Sequence, residues 1–155
     1  MSPDDRLDGI GRLEERLGHR FRDRERLEQA LTHASYANEH PGVLHHEGLA
    51  LLGDAALALV VAERLLGQDP HASVGVLTPR RAAIVSGANL ARWASGLGLG
   101  ALLRLGRGED LTGGRARESI LATTLEAVLA VIYIEEGLSA LRRVVARLAG
   151  WDSPG

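Results

Sequence analysis

The chain has 155 residues, a length that holds one domain with a core able to fold unaided and leaves no room for a second sizeable one. Its composition, 45% hydrophobic and 25% charged, is globular and excludes general disorder. A formal net charge of −2 is not the basic excess of an autonomous nucleic-acid binder, so any such site has to be local, and the lack of cysteine excludes disulfides and thiolate metal sites.

Leu7, Ile10, Leu13 and Leu17 recur at intervals of three and four, and Gly18 follows where a C-terminal cap belongs, which predicts a short opening helix. A second helical stretch is expected over Arg24–His33, with Leu27, Ala30 and Leu31 on one face, followed by a loop over Asn38–His46. From Glu47 to Leu66 the sequence is apolar nearly all round, which predicts a central helix buried on most sides and ended by Gly67. Gln68–Val76 reads as loop. Thr78 and Pro79 then supply a cap and a preset first helical residue for a long helix to about Ser95. Glycines 96, 98 and 100 break it, and Arg104–Arg117 reads as an exposed, turn-rich connection. A mostly apolar helix is expected from Glu118 to Glu136, separated by Gly137 from a last helix bearing Leu138, Leu141, Val144, Val145 and Leu148, with Trp151–Gly155 as a frayed tail. No strand alternation, internal repeat or linker is visible. Met1–Leu7 is no basic apolar leader, and the run Ile120–Ile134 is shorter than a membrane span and carries Glu126, so the expectation is a cytoplasmic chain without a membrane segment.

The residues that carry chemistry are carboxylates inside apolar helices, where unpaired charge is rarely tolerated. Asp54 in LLGDAAL and Glu126 in LATTLEAVL each stand alone among several apolar neighbours, and Glu47 lies two turns before Asp54 on the same helical face. If the two helices pack together, three carboxylates can meet, an all-oxygen set suited to Mg²⁺ or Mn²⁺. Spacing alone leaves equally open that Asp54 and Glu126 bond Arg, Thr or backbone groups. His40, His45 and His46 lie close to Glu47; a replacement site built on His46, Glu47 and Asp54 is conceivable, and exposed loop histidines without a metal role are the ordinary reading. Arg104, Arg107, Arg115 and Arg117 crowd one connection, with Arg80 and Arg81 earlier, as a local phosphate-binding candidate interrupted by Glu109, Asp110 and Glu118.

Four segments in order resemble one family. Glu47–Leu57, EGLALLGDAAL, is similar to the signature helix of ribonuclease III, written ERLEFLGDAVL; Ala30–Tyr36, ALTHASY, resembles its ALTHRSY element. Leu105–Gly114, LGRGEDLTGG, resembles its LGRGE…GG loop, and Glu118–Ala127, ESILATTLEA, its ESILADTVEA helix. The resemblance covers roughly residues 10–148 and implies one all-α ribonuclease III-like endonuclease domain over residues 1–155. It further implies a homodimer whose signature helices meet across the two-fold axis, and divalent metal that activates water to cut double-stranded RNA. Leu49, Leu51 and Leu52 would then face a partner or the core. In length the chain is similar to the compact mini-ribonuclease III layout, with no double-stranded-RNA-binding domain.

Of the family's four central carboxylates, Asp54 and Glu126 match one from each helix, while Ala50 and Thr123 stand at the other two positions. Glu47 matches the supporting glutamate, with Gly48 where arginine is usual, and a further loop acid aligns loosely with Val74 or a neighbour. Two carboxylates cannot neutralise two divalent ions as four can. The resemblance therefore implies a protein that binds structured or double-stranded RNA, such as ribosomal RNA, or a protein partner, with impaired catalysis and a weak metal site at Asp54 and Glu126, or none. The alternatives are an active endoribonuclease with a reduced Mg²⁺ or Mn²⁺ site, and a protein-interaction module without RNA contact. Under the resemblance His33 has a structural hydrogen-bonding role, and Glu109 organises its turn.

Overall fold

A computed structural model describes residues 1–151 and shows an all-helical domain; among those residues the only extended pairing is an isolated parallel bridge between Thr32 and Arg104. Helix α1 spans Pro3–Leu17, opened by a capping box between Ser2 and Asp5 and closed by Gly18. It begins before the first apolar repeat because Ser2 and Pro3 supply a cap and a preset first residue. The second expected helix, Arg24–His33, is the shorter α2, Arg24–Ala30, and a helix that was not expected, α3, follows over Ala34–Glu39. Between them Thr32 pairs with Arg104, and the His33 imidazole caps α3 by accepting from the Ser35 N–H at 3.1 Å. This cap starts a helix ahead of Asn38 whose last two residues, Asn38 and Glu39, fall in what reads as loop.

Helix α4, Glu47–Gln68, follows the expected central helix and continues through Gly67. It is buried on one side only, through Ala50, Gly53, Ala56, Leu57, Val60, Val61 and Leu65; Leu51 is 77% exposed, and Leu52, Leu59 and Leu66 are exposed with it. The expectation of a helix buried on most sides is corrected here. An apolar sequence all round marks two apolar faces, and this chain covers only one.

The long helix expected up to Ser95 is two. Helix α5, Val74–Val85, begins four residues before Thr78, and Pro79 lies inside it; Ser86 then caps α6, Gly87–Gly96, by accepting from the Asn89 N–H at 3.2 Å. No residue of α5 is buried. With Leu65 and Leu66 of α4, Val74, Leu77 and Arg81 of α5 line a groove of about 260 Å³. Helix α7, Leu99–Leu102, and helix α8, Arg107–Leu111, give order to the glycine-rich stretch and the turn-rich connection, and a 3₁₀ turn over Gly114–Ala116 leads into the last element.

That element, α9, spans Glu118–Ala149 and is bent at Gly137, whose φ of 78° and ψ of −170° belong to glycine. Ala127 to Ile132 are buried without interruption, so the helix enclosed on all sides is the middle of α9. Helices α4 and α6 supply most of its packing. Beside the bend, the Glu135 carboxylate accepts from the Arg22 and Asp23 N–H groups at 2.8 Å and pairs with buried His19 at 2.8 Å, which fastens the α1–α2 turn to α9. Trp151, expected in a frayed tail, packs against the core and beneath the Arg64 guanidinium; the rest of that tail lies outside the described residues. No helix among the described residues is long and apolar enough to cross a membrane.

Helices α4 and α9 cross at Gly53, where an added Cβ would stand 1.7 Å from the Glu126 carbonyl oxygen. Gly53→Ala is expected to cost more than about 3 kcal/mol or to prevent folding, because backbone and not a flexible side chain occupies the space. Gly48→Ala, which meets nothing within 4 Å, leaves stability unchanged or slightly higher. Thermal unfolding by circular dichroism compares the two; equal melting temperatures would contradict this account of the crossing.

Candidate functional site

The α4–α9 crossing sets the site. Asp54 follows Gly53, and Glu126 provides the backbone that Gly53 touches, so the two carboxyl groups meet at the rim of the crossing and share a hydrogen bond. Asp54 is exposed and Glu126 half-buried. Burial, then the hydrogen bond with Asp54, then the Asp54 charge push the Glu126 carboxyl up to about 8. At neutral pH Glu126 is therefore mostly protonated and donates toward Asp54.

Ala50 lies one turn before Asp54 and is buried, while Thr123 lies one turn before Glu126 and donates its hydroxyl to the Ser119 carbonyl at 2.8 Å. Neither offers a charged oxygen. Glu47 is exposed at the start of α4, where its N–H donates to His45 Nδ1 at 3.4 Å. Among the described residues no three His, Asp or Glu side chains form a group able to hold a metal ion. The three carboxylates thus reduce to a pair, and the histidine-based replacement site is not assembled. Val74 opens α5 with its side chain 76% exposed. The donor set fits one hard cation completed by water or phosphate oxygens, and does not fit a pair of cations.

His46 is 1% exposed, unlike the exposed loop histidine expected, and its Nδ1 has no partner in the described structure. Its N–H donates to the Thr32 carbonyl at 2.9 Å, which ties the start of α4 to the Thr32–Arg104 bridge. Burial first, then the nearby His33 and His45, hold its imidazole down at about 4.

The arginines of the connection are largely committed within the fold. Arg104 Nε donates to Thr32 Oγ1 at 2.9 Å and lies 3.6 Å from Glu28. Arg115 donates to the Gly100 and Leu103 carbonyls and pairs with Asp110 at 2.9 Å. Arg117 pairs with Glu109 and donates to the Thr112 carbonyl, which closes the turn around Gly114. The Arg107 N–H donates to Glu39, and its guanidinium makes no ion pair or hydrogen bond among the described residues. Sequence reasoning missed the supports Ser35 and Glu39, which accept from the Gly106 and Arg107 N–H groups; no spacing rule links residues some seventy positions apart.

The family model described as Ribonuclease-III-like matches residues 23–149. The chain belongs to the ribonuclease III-like family. It is 44% identical over 137 residues to Ribonuclease 3 of Geobacillus kaustophilus, covering 87% of this chain and 56% of that protein. It is 46% identical over 140 residues to Ribonuclease 3 of Heliobacterium modesticaldum, covering 89% and 60%. The ribonuclease III-like chain therefore spans a little over half the length of these relatives. Its fold matches the ribonuclease III nuclease domain of Campylobacter jejuni with a TM-score of 0.85 at 34% identity, over 94% of this chain and 99% of that one.

Half-buried Glu126 and buried His46 give stability opposite pH slopes. Glu126 is raised in the fold, so its contribution is full below pH 4.5 and is lost as pH rises through about 8. His46 is lowered, so its contribution is full above pH 6.5 and is lost as pH falls through about 4, on the order of 3 kcal/mol in all. Urea unfolding across pH is expected to show Glu126→Gln flattening the alkaline side and His46→Gln the acid side. A profile unchanged in either variant would contradict the assignment for that residue.

Proposed function

We propose that this chain is a ribonuclease III-family homodimer that binds structured or double-stranded RNA in the cytoplasm, with metal-dependent cleavage impaired. One observation carries the reading: Asp54 and Glu126 meet as a hydrogen-bonded pair at the α4–α9 crossing, with Ala50 and Thr123 offering no charged oxygen beside them. Family membership and the match to a ribonuclease III nuclease domain support the RNA substrate class.

Asp54 and Glu126 are the residues that would hold a divalent ion, which when bound would supply a polarised water. Before they can do so the pair has to release the proton that Glu126 keeps up to about pH 8, which disfavours binding at neutral pH. A productive pair of ions needs oxygen ligands that Ala50 cannot provide and that the Thr123 hydroxyl provides only without charge. The same replacements relieve like-charge repulsion at the crossing, so the scaffold keeps its stability without metal. The uncovered apolar face of α4 and α5 supports dimerisation; the Campylobacter jejuni structure is described as having a region involved in dimer formation.

A second reading, an active enzyme with one ion at Asp54 and Glu126, is favoured by the survival of that pair. Incubation with double-stranded RNA and Mg²⁺ or Mn²⁺ separates the two. Salt-dependent binding without efficient cleavage is expected, together with a gain of at least about a hundredfold in the double variant Ala50→Glu/Thr123→Asp. Efficient cleavage by the natural chain that Asp54→Asn abolishes would overturn impairment, and absence of RNA binding at low salt would leave a protein-interaction module. Light scattering is expected to give a dimer for the natural chain and a monomer for Leu51→Glu; a monomeric natural chain would overturn the homodimer.

A further inference from the structure

Helix α3 ends in a stack of flat groups that the nuclease-like site does not use. The His40 and Tyr36 rings lie 3.8 Å apart between centroids and 9° from parallel, and His40 Nδ1 donates to the Tyr36 carbonyl at 2.9 Å. The Arg104 guanidinium lies 4.9 Å from the centre of the same Tyr36 ring. A face-to-face neighbour at 3.8 Å leaves no space for a second group on that side, so Arg104 closes the opposite face. Thr32 and Glu28 hold Arg104 in turn. The phenol is thus covered on both faces, and the exposed imidazole is the top of an anchored three-layer column.

We propose that the outer face of His40 is a stacking platform for one unpaired RNA base, an inference that rests on the RNA-binding reading above. Single-stranded bases are held by stacking on flat side chains beside cationic groups, and every base has such a face. The ring is held in place before any ligand arrives, so little freedom is lost on stacking. Glu39, the next residue, accepts from the Arg107 N–H at 2.9 Å and so keeps Arg107 near the column, with a guanidinium that has no partner in the described structure and suits a backbone phosphate. Phe21, Trp93, Tyr133 and Trp151 pack in or against the core and offer no comparable surface. The base has to be unpaired, at an overhang, bulge or loop, because a base inside a duplex is covered on both faces by its neighbours.

The full chain is titrated with a blunt RNA duplex and with the same duplex carrying a short 3′ overhang that contains 2-aminopurine, reading anisotropy and quenching of the 2-aminopurine. The expected result is quenching by the natural chain and a loss of about 5- to 10-fold in affinity for the overhang duplex in His40→Ala. Affinity for the blunt duplex stays unchanged, which also reports that the variant is folded, and His40→Phe retains both properties. Equal affinity and quenching in His40→Ala and the natural chain overturns the platform alone. An equal loss on both duplexes overturns it too, since the effect is then not one of stacking an unpaired base. A natural chain that binds neither duplex overturns the RNA-binding reading and the platform with it.

Discussion

The crossing of α4 and α9 at Gly53 is the contact on which the rest of the molecule depends. With no side chain at Gly53, the α4 backbone lies against the Glu126 carbonyl, nearer than any residue with a Cβ permits. The approach lets Ala50, Leu57, Val60 and Val61 reach the buried middle of α9 and brings Asp54 to Glu126. Core and candidate site are therefore consequences of one backbone contact.

Two carboxyl groups at such a crossing have to be reconciled with each other. Opposing cations can do it, or a shared proton can. Burial disfavours a charged Glu126, and among the described residues no third carboxylate joins the pair. Ala50 and Thr123, one turn away on either helix, offer no charged oxygen and so add no like charge beside the pair. At the other end of the same stretch, His46 starts α4 as a buried neutral imidazole, bound through its backbone to Thr32. Helix α4 is anchored at both points by groups that the fold keeps uncharged.

The arginines show why counting charge along a sequence overstates a nucleic-acid surface. Arg104, Arg115 and Arg117 cluster in the chain, yet each donates to a carbonyl or hydroxyl oxygen of the fold and lies within ion-pair distance of Glu28, Asp110 or Glu109. They build the loop. Of the four arginines that crowd together in the sequence, only Arg107 has a guanidinium without a partner among the described residues, and Glu39 holds its backbone beside His40.

The sequence by itself determined that the chain is helical, where α1, α4 and α9 run, and that Asp54 and Glu126 are the carboxylates to watch. Those features follow from local periodicity, caps and isolated charge in apolar runs, joined to four motifs in order. The break at Ser86 and the extra helix α3 were not legible, because a hydroxyl or imidazole cap outweighed the pattern around it, and the helical start at Val74 carries no side-chain cap that the local sequence could have announced. Only the tertiary structure decided which side of α4 is covered, that Glu47 stands apart from the pair, and that His46 is buried. An apolar periodic helix has the same sequence whether its second face meets this chain or another. The ionisation of a carboxyl or an imidazole depends on neighbours that chain separation does not reveal.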